Sequence, residues 1–196
     1  MLCTPMSDRK HCMLWDGKTG WTKTQVNKDK HYKGGVAKWE SSDSTVAIIF
    51  TGREDSNGYT ERLKHNTRSK TWEWKTDSKK FSDFKNYHYF SSVTFDNYVY
   101  MFGGQIGDKG KVVNKAFRYD GTWHKDRNLV KPRHRHLSLV VGEKIVHFGG
   151  AGELPFEVWT SLGKGSWTDK KVESKMKLKD WAKNPNAFVI APDDYQ

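Results

Sequence analysis

The chain has 196 residues, 34 basic against 23 acidic for a net charge of +11, with 35% hydrophobic residues and nine tryptophans. That apolar and aromatic content supports a packed core and excludes a disordered chain. The longest clean apolar run, Val46 to Phe50, is far too short for a membrane-spanning helix.

In chain order, Met1-Leu-Cys3 reads as the end of an apolar strand, followed by a loop from Thr4 to His11 and an aromatic strand from Met13 to Trp15 that turns at Asp16-Gly17 and returns to Trp21. Thr45-Val-Ala-Ile-Ile-Phe-Thr-Gly52 is the next apolar run, rich in β-branched and aromatic residues and stopped by glycine, as a strand is where it must turn sharply. A looser aromatic strand ends at Trp72. The apolar run recurs as Asn97-Tyr-Val-Tyr-Met-Phe-Gly-Gly104, with Tyr119-Asp-Gly-Thr-Trp123 behind it, and again as Glu143-Lys-Ile-Val-His-Phe-Gly-Gly150, with a looser aromatic strand ending at Trp167. Asp-Gly pairs favour tight hairpins because glycine takes positive φ without steric cost. Leu137 to Phe148 is split by its own turn at Gly142-Glu143, so each unit holds four short antiparallel strands with no helical period between them. The last run, Ala187-Phe-Val-Ile-Ala, stops where a companion strand and its Gly-Gly are expected, with Asp193-Asp194 beside Pro192 explained by a turn.

Trp21, Trp72, Trp123 and Trp167 lie 51, 51 and 44 residues apart, and Gly52, Gly104 and Gly150 lie 52 and 46 apart. Two independent markers share one period, which points to repeated supersecondary units rather than one pair of layers. The units run approximately over residues 1–52, 53–104, 105–150 and 151–196, the last incomplete.

Four strands per unit at this period resemble the kelch repeat, whose blades build a β-propeller. The resemblance rests on Gly103-Gly104 with Tyr119 and Trp123, on Gly149-Gly150 with Trp159 and Trp167, and on His136 with Arg133 just before it. Thr51-Gly52 and the glycine-poor fourth unit depart from the family pattern. The expectation is an all-β, kelch-type propeller of about four blade units, open or incomplete, and a segment of a longer propeller. Its open blade edges are unpaired hydrogen-bond templates that favour self-association with a second copy.

The two cysteines, Cys3 and Cys12, flank the first inter-strand loop. Antiparallel neighbours can bring Cα atoms within disulfide range, and some extracellular proteins resembling this family carry a cysteine pair there. Two reduced thiols in a cytosolic protein are the alternative; the pairing and the resemblance favour an extracellular, secreted protein over a cytoplasmic one. The chain has no Asn-X-Ser/Thr sequon.

The charge follows the repeat. The segments after each landmark tryptophan, residues 22–33, 73–85, 124–135 and 168–179, hold 18 basic and 7 acidic residues, a surplus equal to the whole net charge of +11. Antiparallel strands alternate direction, so these connections share a rim with the loops after the glycines, Arg53 to Gly58, Gln105 to Lys111 and Ala151 to Pro155. The densest groups are Lys125, Arg127, Lys131, Arg133 and Arg135, and Lys170, Lys171, Lys175, Lys177 and Lys179. A positive rim attracts acidic partners in a salt-dependent way, whereas the bland account is that connections are exposed and lysines keep sheet edges from pairing.

Signals for catalysis are weak. His134 and His136 point one way on an extended segment, but Arg133 and Arg135 oppose a cation and no neighbouring carboxylate or thiol completes a metal set. Gly103-Gly-Gln-Ile-Gly107 lacks the helix and the Lys-Ser/Thr ending of a phosphate loop. Aromatics expected between blades offer no stacking surface for nucleic acid. The reading is a non-catalytic binding module, without catalytic residues, cofactor or metal, whose rim loops engage a protein, a peptide or an acidic glycan, without membrane insertion. The alternative is a segment of a galactose-oxidase-like propeller enzyme whose catalytic residues lie outside this chain.

Overall fold

The structure is a computed structural model that describes residues 13–15, 20–24, 34–43, 45–52, 58–66, 68–107, 109–151, 156–163 and 166–170. The strands in chain order are β1 (Met13–Trp15), β2 (Trp21–Lys23), β3 (Gly35–Lys38), β4 (Thr45–Phe50), β5 (Thr60–Asn66), β6 (Thr71–Thr76), β7 (Tyr87–His88), β8 (Ser91–Phe95) and β9 (Tyr98–Phe102). They continue with β10 (Gln105–Ile106), β11 (Lys111–Val112), β12 (Ala116–Tyr119), β13 (Trp123–Asp126), β14 (Leu137–Val141), β15 (Lys144–Phe148), β16 (Phe156–Gly163) and β17 (Ser166–Lys170). No helix among the described residues is long and apolar enough to cross a membrane.

Three four-stranded antiparallel sheets form in the orders β3-β4-β5-β6, β8-β9-β12-β13 and β14-β15-β16-β17, and β1 pairs with β2 ahead of them. In each sheet the first strand begins opposite a phenylalanine that ends the second: Gly35 faces Phe50, Ser91 faces Phe102 and Leu137 faces Phe148. The turns are the expected ones, with Gly142-Glu143 joining the Val141–Lys144 pair and Asp120-Gly121-Thr122 joining the Tyr119–Trp123 pair. The glycine landmarks fall between the second and third strands, so the sequence units mark a repeat period and each sheet draws on two of them. β3, β8 and β14 lie side by side, which sets the three sheets as successive blades around one axis. The architecture is all-β and open, in the manner of a kelch-type propeller.

The core lies between blades, and this explains the unbroken apolar run of β9. Val99 and Met101 join Ile48, Phe50, Phe84, Phe117 and Tyr119 on one side, while Tyr100 and Phe102 join Ile145, Leu129 and Trp159 on the other. A strand buried on both faces has no polar side to alternate with. Each such side chain contributes about 1.5–3 kcal/mol by leaving water. The first interface is an aromatic cluster, with Phe84 edge-on to Phe117 at 5.1 Å and to Trp123 at 4.7 Å.

The tryptophan landmarks divide. Trp123 packs against the first interface, and its indole N–H donates to the Thr60 hydroxyl of the preceding blade at 2.7 Å. The expectation that Trp21 and Trp72 are buried between blades is corrected: they are 48% and 36% exposed. In the first complete blade the matching role belongs to Trp74, whose indole donates to Thr24 Oγ1 at 2.9 Å, again across to the preceding strands. Trp72, on the outer strand β6, instead lies against His65 of β5, ring centres 4.4 Å apart. Trp167 sits in β17 opposite Ser161. Cys3 and Cys12, and the closing run Ala187 to Ala191, lie outside the described residues.

Candidate partner-binding rim

The Gly-Gly landmarks are clamped by the connections between blades. A Cβ on Gly103 would meet the Arg133 carbonyl oxygen at 2.5 Å, and one on Gly104 would meet Tyr87 Cε1 at 2.7 Å and the His88 carbonyl at 2.8 Å. Both glycines also take positive φ, 59° and 105°. The pair is therefore required twice over, by conformation and by space. Thr51 occupies the place of Gly103 in the first complete blade at φ 51°, and its hydroxyl lies 2.7 Å from the Phe84 carbonyl and 2.8 Å from that of Tyr87. Those contacts hold a residue that would otherwise be strained there.

Among the described residues, the same contacts bring the connections after β6 and β13 against the residues that follow the glycine landmarks, while residues 53–57 and 152–155 of the expected loops lie outside the described residues. Gly52 bridges to Tyr87, β10 pairs with β7 and with β11, the Gly104 N–H donates to the Arg133 carbonyl at 2.7 Å, and the Ala151 N–H to that of His134 at 3.1 Å. Successive connections also join, through the Arg135 N–H on the Tyr89 carbonyl at 2.8 Å. Tyr89 and Arg135 both stand at positive φ, 56° and 55°, and the Arg135 guanidinium lies 4.4 Å from the centre of the Tyr89 ring. Of the expected basic residues, Lys125, Arg127, Lys131 and Arg135 are exposed. Lys125 reaches Asp83 of the previous connection at 3.3 Å. Lys170 lies in β17, its side chain not among those described, and Lys171, Lys175, Lys177 and Lys179 lie outside the described residues.

Arg133 is the correction. It is 1% exposed, with its guanidinium 3.5 Å from Glu157 Oε2, beneath the rim rather than on it. Its alternation with exposed Arg135 hid this in the sequence, where a basic run reads as a solvated surface. Glu157 is fully buried, and its Oε1 accepts from the Val130 N–H and the Trp159 indole N–H, both at 2.9 Å. Buried His147 shares a 2.8 Å hydrogen bond with the Ser138 hydroxyl and lies edge-on to Phe102 at 4.4 Å. Buried His136 sits beside it, ring centres 6.0 Å apart. Sequence reasoning placed His136 but missed His147 and Glu157, which lie within apolar strands.

Burial, reinforced by the Arg133 charge, holds the His147 pKa down to about 3. His136 is driven well below its usual value, first by burial and then by His147 and Arg133. Both imidazoles are kept neutral, so the unfolded chain takes up protons before the folded one and stability is lost as pH falls below 6.5 towards 3. Between about pH 7.5 and about pH 5 the expected loss from His147 alone is about 2 kcal/mol, with His136 acting in the same direction. The urea midpoint measured across that range should fall accordingly, and a level midpoint would contradict the buried neutral pair.

Radially adjacent four-stranded antiparallel blades, with glycine pairs locked beneath the connections, define the class as an open kelch-type β-propeller. The family model described as Kelch motif matches residues 86–129, from the connection before β8 to the segment after β13. Among solved structures, "Structure of YjhT" is similar with a TM-score of 0.63 at 12% identity, over 82% of this chain and 52% of that one. The chain thus spans about half the length of that structure. No curated protein matches its sequence. The chain carries a kelch repeat and takes the fold of kelch-repeat propellers.

Proposed function

We propose that the chain is a non-catalytic binding module whose connection rim engages an acidic partner: a protein, a peptide or an acidic glycan. The observation that supports this reading is the hydrogen bonding of the basic connection after β13 to Tyr89, Gly104 and Ala151, with Arg127, Lys131 and Arg135 exposed along it. Backbone pairing between connections makes the rim a rigid display, so little ordering entropy opposes binding. The sequence expectation that Lys170, Lys171 and Lys175 extend this rim is part of the same proposal.

The test is binding to heparin, an acidic polymer, as a function of salt. Affinity should fall steeply as the screening length drops from ~30 Å at 0.01 M to ~8 Å at 0.15 M salt. A triple charge reversal, Arg127→Glu with Lys131→Glu and Arg135→Glu, should weaken binding at low salt by more than about tenfold while leaving the melting profile intact. Affinity indifferent to both salt and charge reversal would sink the reading.

A further inference from the structure

Beside the connection that follows β6, a cavity of ≈ 300 Å³ opens between the first and second complete blades. One wall comes from the first blade, with Arg62 on β5 and the run Asp77 to Phe81 after β6. The other is the end of the β12–β13 hairpin, with Tyr119, Gly121, Thr122 and Trp123. The Asp77 carboxylate is tied on both oxygens, by Arg62 Nε at 2.7 Å and by the Tyr119 hydroxyl donating at 2.8 Å, so one polar group is fixed across the two blades. Arg62 also reaches Asp43 at 3.0 Å. Lys79 and Lys80 line the opening and are exposed, and the Lys80 ammonium stands 4.9 Å over the Tyr59 ring.

Three features together select a ligand class. Phe81 and Trp123, both half-buried, supply aromatic surface of the kind that packs against the C–H face of a sugar ring. Asp77, Ser78 and Thr122 supply an acceptor and two hydroxyls suited to ring hydroxyls. With Arg62 already held by Asp77 and Asp43, the exposed Lys79 and Lys80 are the cations that favour an anionic substituent. The volume lies at the lower end of the range for small-ligand sites, room for a single ring and not for a polymer chain. We infer that this crevice binds one pyranose residue bearing a carboxylate or a sulfate. Lys79 and Lys80 belong to the basic connection after β6, but Lys125, Arg127, Lys131 and Arg135, on which the rim reading rests, do not line the cavity.

Calorimetric titration of the whole chain with glucuronate, glucose 6-sulfate and glucose tests it. At least one anionic sugar should bind saturably with a dissociation constant on the order of 1 mM, and glucose about tenfold or more weaker. Whichever anion binds tells carboxylate from sulfate. The paired change Lys79→Glu with Lys80→Glu, on exposed side chains, should weaken the anion by about tenfold, and Thr122→Trp, which fills the cavity from an exposed turn, should abolish binding. Arg135→Ala should leave it unchanged, which separates this site from the rim. Absence of saturable binding by both anions, or binding unaffected by the lysine reversals and the filled cavity, would overturn the inference.

Discussion

Replacing Glu157 with glutamine is expected to cost about 3–5 kcal/mol of stability, since it strips the counter-charge from a buried guanidinium without altering shape. Arg133 is 1% exposed and Glu157 is fully buried, so water does not screen the pair. Burial already disfavours the charged Arg133, and the Glu157 carboxylate is what opposes that penalty. Beyond Glu157, the Arg133 Nε and Nη1 atoms find no hydrogen-bond partner among the described residues, which leaves the cation dependent on this one carboxylate. Arg133→Met should be destabilising too, by stranding the carboxylate with two N–H donors. Combining the two changes should cost clearly less than the sum of the single costs, because no unpaired charge remains. Urea unfolding of the four proteins gives the cycle. Additive costs would mean that the two side chains act independently.

Truncating Trp159 to alanine should cost a similar amount, about 3–5 kcal/mol. Its side chain is fully buried between the second and third complete blades, edge-on to Phe102 at 5.1 Å, and its indole N–H also orients Glu157. The informative control is Trp72→Ala, which removes as many atoms from a side chain that is 36% exposed and lies against His65. There the loss should be about 1 kcal/mol or less, the scale of a cross-strand pair. Equal costs at the two sites would mean that the blade interface around Trp159 is not the packed core described above.

These two tryptophans show how far the repeat could be read from the chain. The glycine pairs were legible because a requirement for positive φ and for missing Cβ leaves few residue choices, and the hairpins at Gly142-Glu143 and Asp120-Gly121 were legible through positive φ alone. Tryptophan spacing was less informative. Trp72 and Trp74 lie two apart on one strand, and only contact with Thr24 of the preceding strands shows that Trp74 is the counterpart of Trp123. The small β7-β10-β11 sheet was not legible at all, because two-residue strands carry no periodicity and form where the connections meet the glycine loops.

The sequence by itself determined the all-β class, the repeated strand pattern and the turns, since each depends on local backbone preference or on counting residues. Tertiary structure decided which members of a charged run face water. Arg133 and Arg135 are two apart in the same connection, yet one is buried against Glu157 from the following sheet and the other lies over Tyr89 from the preceding connection. The partners that make that difference are 24 and 46 residues away in the chain, as the positions show. The inter-blade cavity was decided in the same way, because its walls belong to two blades and exist only once these are docked.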